Sequence, residues 1–362
     1  MALKITLQQL LKTQAEQDSS DLHISVGTPP QLRIHGDLCP IKVDPLTADD
    51  TEQLCYSILT EEQRRMFEEN RELDLSFSVK GVARFRANIF RQKSAVGGVF
   101  RLIPHKIKSF EDLALPAVVS SLCDLSRGLV LVTGATGSGK STTLAAMIDK
   151  INREVPGHIL TLEDPIEFSH DHKRCVINQR EVGTDTETIT RALKSSLRQD
   201  PDVVLVGEMR DYETISAALT IAETGHLVFA TLHTNSAVST INRIIDVFPA
   251  HQHNQVRTQL ATSLQGVLSQ QLLPKLSGGR ALALEILIPN SAIRSQIRED
   301  KMHMIYQSMQ MGAEKTGMQT LNQCLVGLIQ KRMISIDTAL SAAYDVEELR
   351  GLLQRAGLGR AG

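Results

Sequence analysis

The chain has 362 residues, of which 42% are hydrophobic, and its formal net charge is -2. This length and apolar content suit about two or three globular domains with sizeable cores. The near-neutral charge excludes a general attraction to nucleic acid or to an anionic membrane. The five cysteines are scattered without a C-x-x-C pair. We therefore expect a cytoplasmic protein with reduced thiols and without a zinc site.

The first part of the chain, residues 1–103, predicts a small α+β domain. The expected elements are a helix over 4–17, strands over 19–35, a helical stretch over 47–70 and several strands over 72–103. Asp21 is interpreted as a surface turn residue. A linker is predicted over 104–117, because prolines stand near both of its ends.

One segment of this domain is basic and lacks acidic residues. Residues 80–108 contain eight Lys or Arg and no Asp or Glu. Apolar and polar side chains alternate over 83–89, so Arg84 and Arg86 share one face of a predicted strand. This face is either a solvated basic strand or a guanidinium surface that binds an anion, since guanidinium suits phosphate oxygens. Nucleic acid is a weaker alternative, because no aromatic-rich surface accompanies the basic residues.

A glycine-rich loop organises the second part of the chain. It follows an apolar run over 128–133 that predicts a buried strand, and it precedes apolar residues at helical spacing. Strand, glycine-rich turn and helix are the context of a phosphate-binding P-loop. The nucleotide-binding residues predicted here are Gly134, Thr136, Gly137, Ser138, Gly139, Lys140, Ser141 and Thr142. Lys140 is expected to reach the β- and γ-phosphates, and the Ser141 hydroxyl is expected to bind Mg²⁺.

Strands and helices alternate after this loop, which predicts a mostly parallel sheet covered by helices over 118–290. A helix is expected over 257–273, where leucines recur at helical spacing, and a strand over 281–288. Residues 291–362 are expected to be helical. The predicted fold class is therefore α/β, with an α+β domain in front and a helical part behind.

Polar residues with catalytic chemistry stand at predicted strand ends. Glu163 and Glu208 each follow a short apolar run, and open α/β sheets bind ligands at the carboxyl ends of their strands. Each can hold Mg²⁺ or orient an attacking water, and the sequence does not rank them. Gly207 takes the place where the usual motif has a metal-binding Asp, so the carboxylates that this chemistry needs are expected to be Glu163 and Glu208. His233 follows the next strand and can contact the γ-phosphate.

Together these motifs resemble those of the secretion-type ATPases, and especially the type IV pilus retraction ATPases of the PilT family. The segments that carry the resemblance to its "Asp box", atypical Walker B motif and "His box" are 162–167, 206–211 and 224–234. Residues 20–23 resemble the start of the family's PAS-like domain. Residues 292–299 resemble its C-terminal signature AIRNLIRE, with Ser295 and Gln296 in place of Asn and Leu.

The resemblance implies a RecA-like core that hydrolyses ATP with Mg²⁺ in a ring of six identical subunits. Such a motor would retract type IV pili and support twitching motility from the cytoplasmic face of the inner membrane. Its expected partners are the pilus platform protein and a paralogous retraction ATPase, without zinc or nucleic acid. Glu163 would be a metal ligand, and the catalytic residues would be Glu163, Glu208, His233, Arg84 and Arg86, with Arg101 on the nucleotide.

Other functions stay open on the sequence alone. A retraction-accessory paralogue of the PilU type fits nearly the same motifs. A nucleotide-gated regulatory module would close on ATP but hydrolyse it slowly. A pilus-assembly or type II secretion ATPase fits less well, because those proteins carry paired C-x-x-C motifs that this chain lacks. A DNA translocase is disfavoured by the net charge of -2.

Overall fold

The computed structural model describes residues 5–34, 36–104 and 106–358. Lys4 and His35, which the sequence placed in the first helix and in a strand, lie outside the described residues, as do the final four residues of the predicted helical part, 359–362. None of the helices in the described part of the chain combines the length and the apolar character that a membrane crossing requires.

Contacts divide the described chain into two units. The first runs up to Lys106 and includes the short segment Glu167–Ser169; the second comprises Ile107–Ile166 and the residues from His170 onward. The finer division of the second unit into a core over 118–290 and a helical part over 291–362 stays a prediction.

The first unit is a six-stranded antiparallel sheet in the order β3-β2-β1-β6-β5-β4, with three helices. Its strands are β1 (Asp21–Ile24), β2 (Gln31–Ile34), β3 (Asp37–Pro40), β4 (Glu72–Val79), β5 (Ala83–Gln92) and β6 (Ala95–Ile103). Its helices are α1 (Leu7–Glu16), α2 (Ala48–Tyr56) and α3 (Glu61–Asn70). The predicted single helical stretch over 47–70 is two helices, because Thr47 and Thr60 each cap a new one.

A seven-stranded sheet forms the centre of the second unit, in the order β13-β12-β7-β11-β10-β8-β9. Its strands are β7 (Gly128–Thr133), β8 (Gly157–Glu163), β9 (Cys175–Glu181), β10 (Val203–Val206), β11 (Leu227–Leu232), β12 (Leu264–Pro274) and β13 (Arg280–Leu287). All neighbours are parallel except β12 and β13, which pair antiparallel. The predicted mostly parallel sheet is confirmed.

Helices cover this sheet and continue to the end of the described chain. They are α4 (Ala117–Leu122), α5 (Lys140–Glu154), α6 (Ile189–Ser196), α7 (Tyr212–Glu223), α8 (Ala237–Asp246), α9 (His253–Ser263), α10 (Ser291–Arg298), α11 (Ile305–Thr316), α12 (Leu321–Gln330), α13 (Ile336–Ala342) and α14 (Val346–Arg355). Successive residues of the buried strands alternate between two cores. Val130 and Val132 pack on the side of α5, whereas Leu129 and Leu131 pack on the side of α7 to α9.

The helix predicted over 257–273 is wrong in its second half. α9 ends at Ser263, and Leu264 opens β12, which pairs with the buried strand β7. Leucines four residues apart fit one face of a helix and, being an even number apart, also one face of a strand. The segment forms a strand because it pairs with β7. Gly266 has no room for a side chain, since a Cβ there would lie 2.9 Å from Leu122.

Candidate nucleotide site

Parallel strands bring the predicted site residues of the second unit to one edge of its sheet. β7, β11, β10 and β8 are neighbours in this order, so their carboxyl ends meet there. The loop over 134–142 follows β7, and His233 follows β11. Glu208 lies just past β10, and Glu163 is the last residue of β8. The edge therefore combines a glycine-rich loop, two carboxylates and an imidazole.

Glycines shape the loop. Gly134, Gly137 and Gly139 have φ angles of +140°, +80° and +92°, which L side chains rarely adopt. A Cβ on Gly134 would also lie 2.4 Å from the backbone oxygen of Gln270 on β12. Gly139 is the N-cap of α5 and brings no side-chain cap. The first amides of α5 consequently point to the loop without a capping side chain, at the positive end of the helix.

The polar residues of the loop differ in exposure. Lys140 donates hydrogen bonds from Nζ to the backbone oxygens of Gly134 at 2.8 Å and Ala135 at 3.1 Å. Its ammonium group thus lies over the concave side of the loop, where a phosphate oxygen can compete for it. Ser141 and Thr142 are half-buried in the first turn of α5, whereas Ser138 is buried and Thr136 is exposed.

Gly207, which follows β10, lies close to the neighbouring strand β8. Its amide donates to the Leu162 oxygen at 2.8 Å, so it lies directly beside the end of β8. A Cβ at this position would lie 3.2 Å from the Glu163 Cα. A side chain at this position would be crowded against β8. That adjacent strand itself ends in a carboxylate, Glu163.

Glu163 is 8% exposed and is held by neutral donors. The Thr161 hydroxyl donates to its Oε1 at 2.6 Å, and the Gln179 amide donates to the same atom at 3.3 Å. Burial and two neutral hydrogen bonds fix the orientation of this carboxylate.

Sequence reasoning missed β9, whose side chains hold the segment between β8 and β9. Gln179 accepts from the backbone amide of His170 at 2.8 Å while it donates to Glu163. Glu181 accepts from the amide of Ile166 at 3.0 Å. The sequence signal for this strand is weak, because three apolar residues from Cys175 are followed by four polar ones and the period-two alternation of a half-buried strand is absent over 175–181.

Glu208 has a different environment, between two basic groups. Arg210 donates from Nη2 to its Oε2 at 2.8 Å, and His233 Nε2 lies 3.2 Å from its Oε1. The hydrogen bond from Arg210 lowers the pKa of Glu208; partial burial opposes this, and His233 adds to it. The carboxylate is thus ionised at neutral pH. The sequence did not predict Arg210 as its partner.

The predicted arginine face lies in the first unit, on the side of the sheet opposite its core. Arg86 of β5 faces Arg101 of β6, and Arg84 is on the same side as Arg86, while the residues between them are buried. Arg101 donates to Asp21 at 2.9 Å, and Arg86 lies 3.7 Å from Asp74. Asp21 is buried in β1, so its interpretation as a surface turn residue is wrong. An anion on this face would compete with these carboxylates.

Comparison with known proteins fits this geometry. The family described as "Type II/IV secretion system protein" matches residues 4–278. The PilT retraction ATPase of Pseudomonas aeruginosa is 53% identical over 335 residues, which cover 92% of this chain and 97% of that protein. This chain belongs to the PilT family of secretion-type ATPases.

Two further relatives place the chain within that family. A crystal structure of the pilus retraction motor PilT with bound ADP is 50% identical, with a TM-score of 0.90, and the match covers 95% of this chain and 99% of that one. The PilU ATPase of Pseudomonas aeruginosa is 41% identical, over 96% of this chain and 91% of its own length. This PilT-family chain is therefore an ATPase with the predicted α/β fold, and it uses nucleotide.

Proposed function

We propose that this ATPase is the motor that retracts type IV pili and thereby supports twitching motility. The observation that carries the proposal is the shared sheet edge of the P-loop, Glu163, Glu208 and His233, in a chain 53% identical to a retraction ATPase over 92% of its length. The identity to PilU is lower, at 41%, which favours the primary motor over the accessory paralogue.

Ser141 and Glu163 would hold Mg²⁺ beside the nucleotide phosphates. A hydroxyl and a carboxylate are the oxygen donors that this ion prefers, so the residues fit it. When bound, the ion neutralises charge on the phosphate oxygens. Lys140, Ser138, Thr136, Thr142 and the loop amides would bind the phosphates, and the glycines let the backbone approach them.

Glu208 would orient the water that attacks the γ-phosphate. It is ionised, it lies between Arg210 and His233, and it is less buried than Glu163. His233 would contact the γ-phosphate. Because its Nε2 lies 3.2 Å from Glu208, this contact would link the binding of the γ-phosphate to the position of the Glu208 carboxylate. This division assigns the metal to Glu163 and the water to Glu208.

We also propose that the arginine face takes part in catalysis and nucleotide binding. Arg84 and Arg86 would assist phosphoryl transfer and Arg101 would bind nucleotide, from the same chain or from a neighbouring subunit. An arginine placed on the transferring phosphoryl group accelerates such reactions by ~10³–10⁵. Arg84→Ala or Arg86→Ala should therefore lower ATP turnover more than ATP binding. Unchanged turnover in both variants would reduce this face to a solvated strand.

The proposed assembly is a closed ring of six identical subunits joined by heterologous contacts, as the family resemblance implies. It would work at the cytoplasmic face of the inner membrane, against the pilus platform protein and beside a paralogous retraction ATPase. The division into a PAS-like domain, a linker over 104–117, a RecA-like core and a helical part is proposed on the same grounds.

Complementation of a deletion strain tests the proposal. The strain would receive the parent gene, Glu208→Ala or, as a control, Glu187→Gln, whose exposed carboxylate precedes α6 and forms an ion pair with Arg191. Without a working motor, cells should carry excess surface pili and should not twitch, and the control should restore both properties. Cells without pili would indicate an assembly ATPase instead. Persistent twitching with Glu208→Ala would indicate an accessory protein.

A further inference from the structure

The loop that follows β11 connects His233 to α8. At its beginning, His233 lies 3.2 Å from Glu208, and next to it the Thr234 hydroxyl is 2.6 Å from that of Thr240. At its end, Ala237 is the first residue of α8. The position of the imidazole therefore depends on what holds the residues between these points.

Tyr344, far along the chain between α13 and α14, holds the middle of this loop. Its hydroxyl donates a hydrogen bond to the backbone oxygen of Asn235. The same hydroxyl accepts from the Gln271 amide of β12 at 3.1 Å. Because one oxygen both donates and accepts, the loop is tied through Tyr344 to a strand of the central sheet. Burial raises the pKa of Tyr344, so the hydroxyl keeps its donor proton at neutral pH.

Glu285 of β13 holds the end of the loop. It is 2% exposed, and its Oε1 accepts from the Ala237 amide at 2.6 Å, at the positive end of α8. This anchor lies in the sheet core and fixes where α8 begins. The residues between His233 and α8 are thus held by the buried carboxylate of Glu285, by hydroxyl contacts to the first turn of α8, and by Tyr344. Of these contacts, the one from Tyr344 comes from the helical part.

We propose that Tyr344 is a positioning residue for His233, through which the C-terminal helices control ATP turnover. The inference rests on the role proposed above for His233. Without the hydroxyl, the Asn235 oxygen loses its donor and the loop can shift. His233 then spends less time against Glu208, while the nucleotide loop after β7 is untouched. The rate of ATP turnover should therefore fall, while the affinity for ATP should stay the same.

Steady-state ATPase assays of the full-length protein test this. Tyr344→Phe removes only the hydroxyl and should lower kcat about three- to tenfold, the effect of one neutral hydrogen bond, with KM for ATP unchanged. In a His233→Ala background the same substitution should have no further effect. Tyr306→Phe is the matched control: it also removes a hydroxyl of the C-terminal helices, one that donates to Glu348 at 2.6 Å, and it should leave kcat unchanged.

Each other outcome has a distinct meaning. If His233→Ala lowers kcat and Tyr344→Phe does not, Tyr344 does not position the histidine, and the proposed role of His233 survives. If His233→Ala keeps full kcat, that role and this inference both fail. An equal loss in Tyr306→Phe, or the same loss from Tyr344→Phe with and without His233, would show general loosening of the helical part and overturn the inference.

Discussion

Glu163 and Glu208 lie at the carboxyl ends of neighbouring strands of one sheet, yet their surroundings differ. Glu163 is buried and receives hydrogen bonds from the neutral side chains of Thr161 and Gln179. Glu208 is partly exposed and lies between the charged group of Arg210 and the titratable ring of His233. The hydrogen bonds from Thr161 and Gln179 fix the orientation of one carboxylate, whereas a carboxylate between a guanidinium and an imidazole can change partners during a reaction.

Removing the Glu208 carboxylate should have the largest effect. Glu208→Gln keeps the size of the side chain but cannot orient or deprotonate a water as a carboxylate does. A positioned base contributes about 10²–10⁴-fold, so kcat should fall by that order with little change in ATP affinity. Phosphate release and nucleotide binding would be measured on the same preparation. Turnover near that of the parent would remove Glu208 from the mechanism.

Filling the space beside Glu163 should cost stability. Gly207→Ala places a Cβ 3.2 Å from the Glu163 Cα, and overpacking of this kind typically destabilises by about 1–3 kcal/mol. Urea unfolding of the variant measures this. Gly327→Ala in α12 serves as the comparison, because no atom lies within 4 Å of a Cβ there and the helical backbone accepts alanine. No loss of stability in Gly207→Ala would mean that β8 and β10 can move apart.

A smaller loss is expected at Gln179. Gln179→Leu removes its hydrogen bond to Glu163 and the one it accepts from the His170 amide. Loss of about 1 kcal/mol of orienting interaction should lower kcat by roughly three- to tenfold. Asn178→Leu is the matched control, since its amide contacts His158. Equal effects of the two substitutions would argue that β9 acts only through the stability of the sheet edge.

The smallest change is a shift in pH dependence. Arg210 lowers the pKa of Glu208, so Arg210→Ala should raise that pKa. The ionised carboxylate is then lost at a higher pH as the solution is acidified, and the acid limb of the kcat profile should move to higher pH. An unmoved acid limb would show that Glu208 is not the group that titrates there. The alkaline limb should stay where it is, because Arg210 remains charged there in the parent and so does not contribute a titration that the substitution could remove.

The loop and the strand ends that form the candidate nucleotide edge could be predicted from the sequence because their signals are local. A glycine-rich loop, or a carboxylate after a short apolar run, can be recognised from a few consecutive residues. β12 could not be predicted, since the spacing of Leu264 and Leu268 fits a helix and a strand, and only the neighbouring β7 decides. The pairing of Gln179 with Glu163 depends on which strand becomes the neighbour of β8.

The same limit applies to the charged partners. Residues 80–108 contain no acid, yet Arg86 and Arg101 meet Asp74 and Asp21 from other strands. The crowding at Gly207 also comes from a neighbouring strand, because a Cβ there would lie 3.2 Å from the Glu163 Cα. Residue types and strand ends can thus be predicted from the sequence, while partners across strands depend on the assembled sheet.

A magnesium titration of ATP turnover tests the division of labour between the two carboxylates most directly. Glu163→Gln and Glu208→Gln would be compared with the parent at saturating ATP. We predict that only Glu163→Gln needs more Mg²⁺ for half-maximal turnover and regains part of its kcat at high Mg²⁺, while Glu208→Gln keeps the parent's Mg²⁺ dependence at a much lower kcat. An equal shift in both variants, or a shift in Glu208→Gln alone, would contradict the assignment.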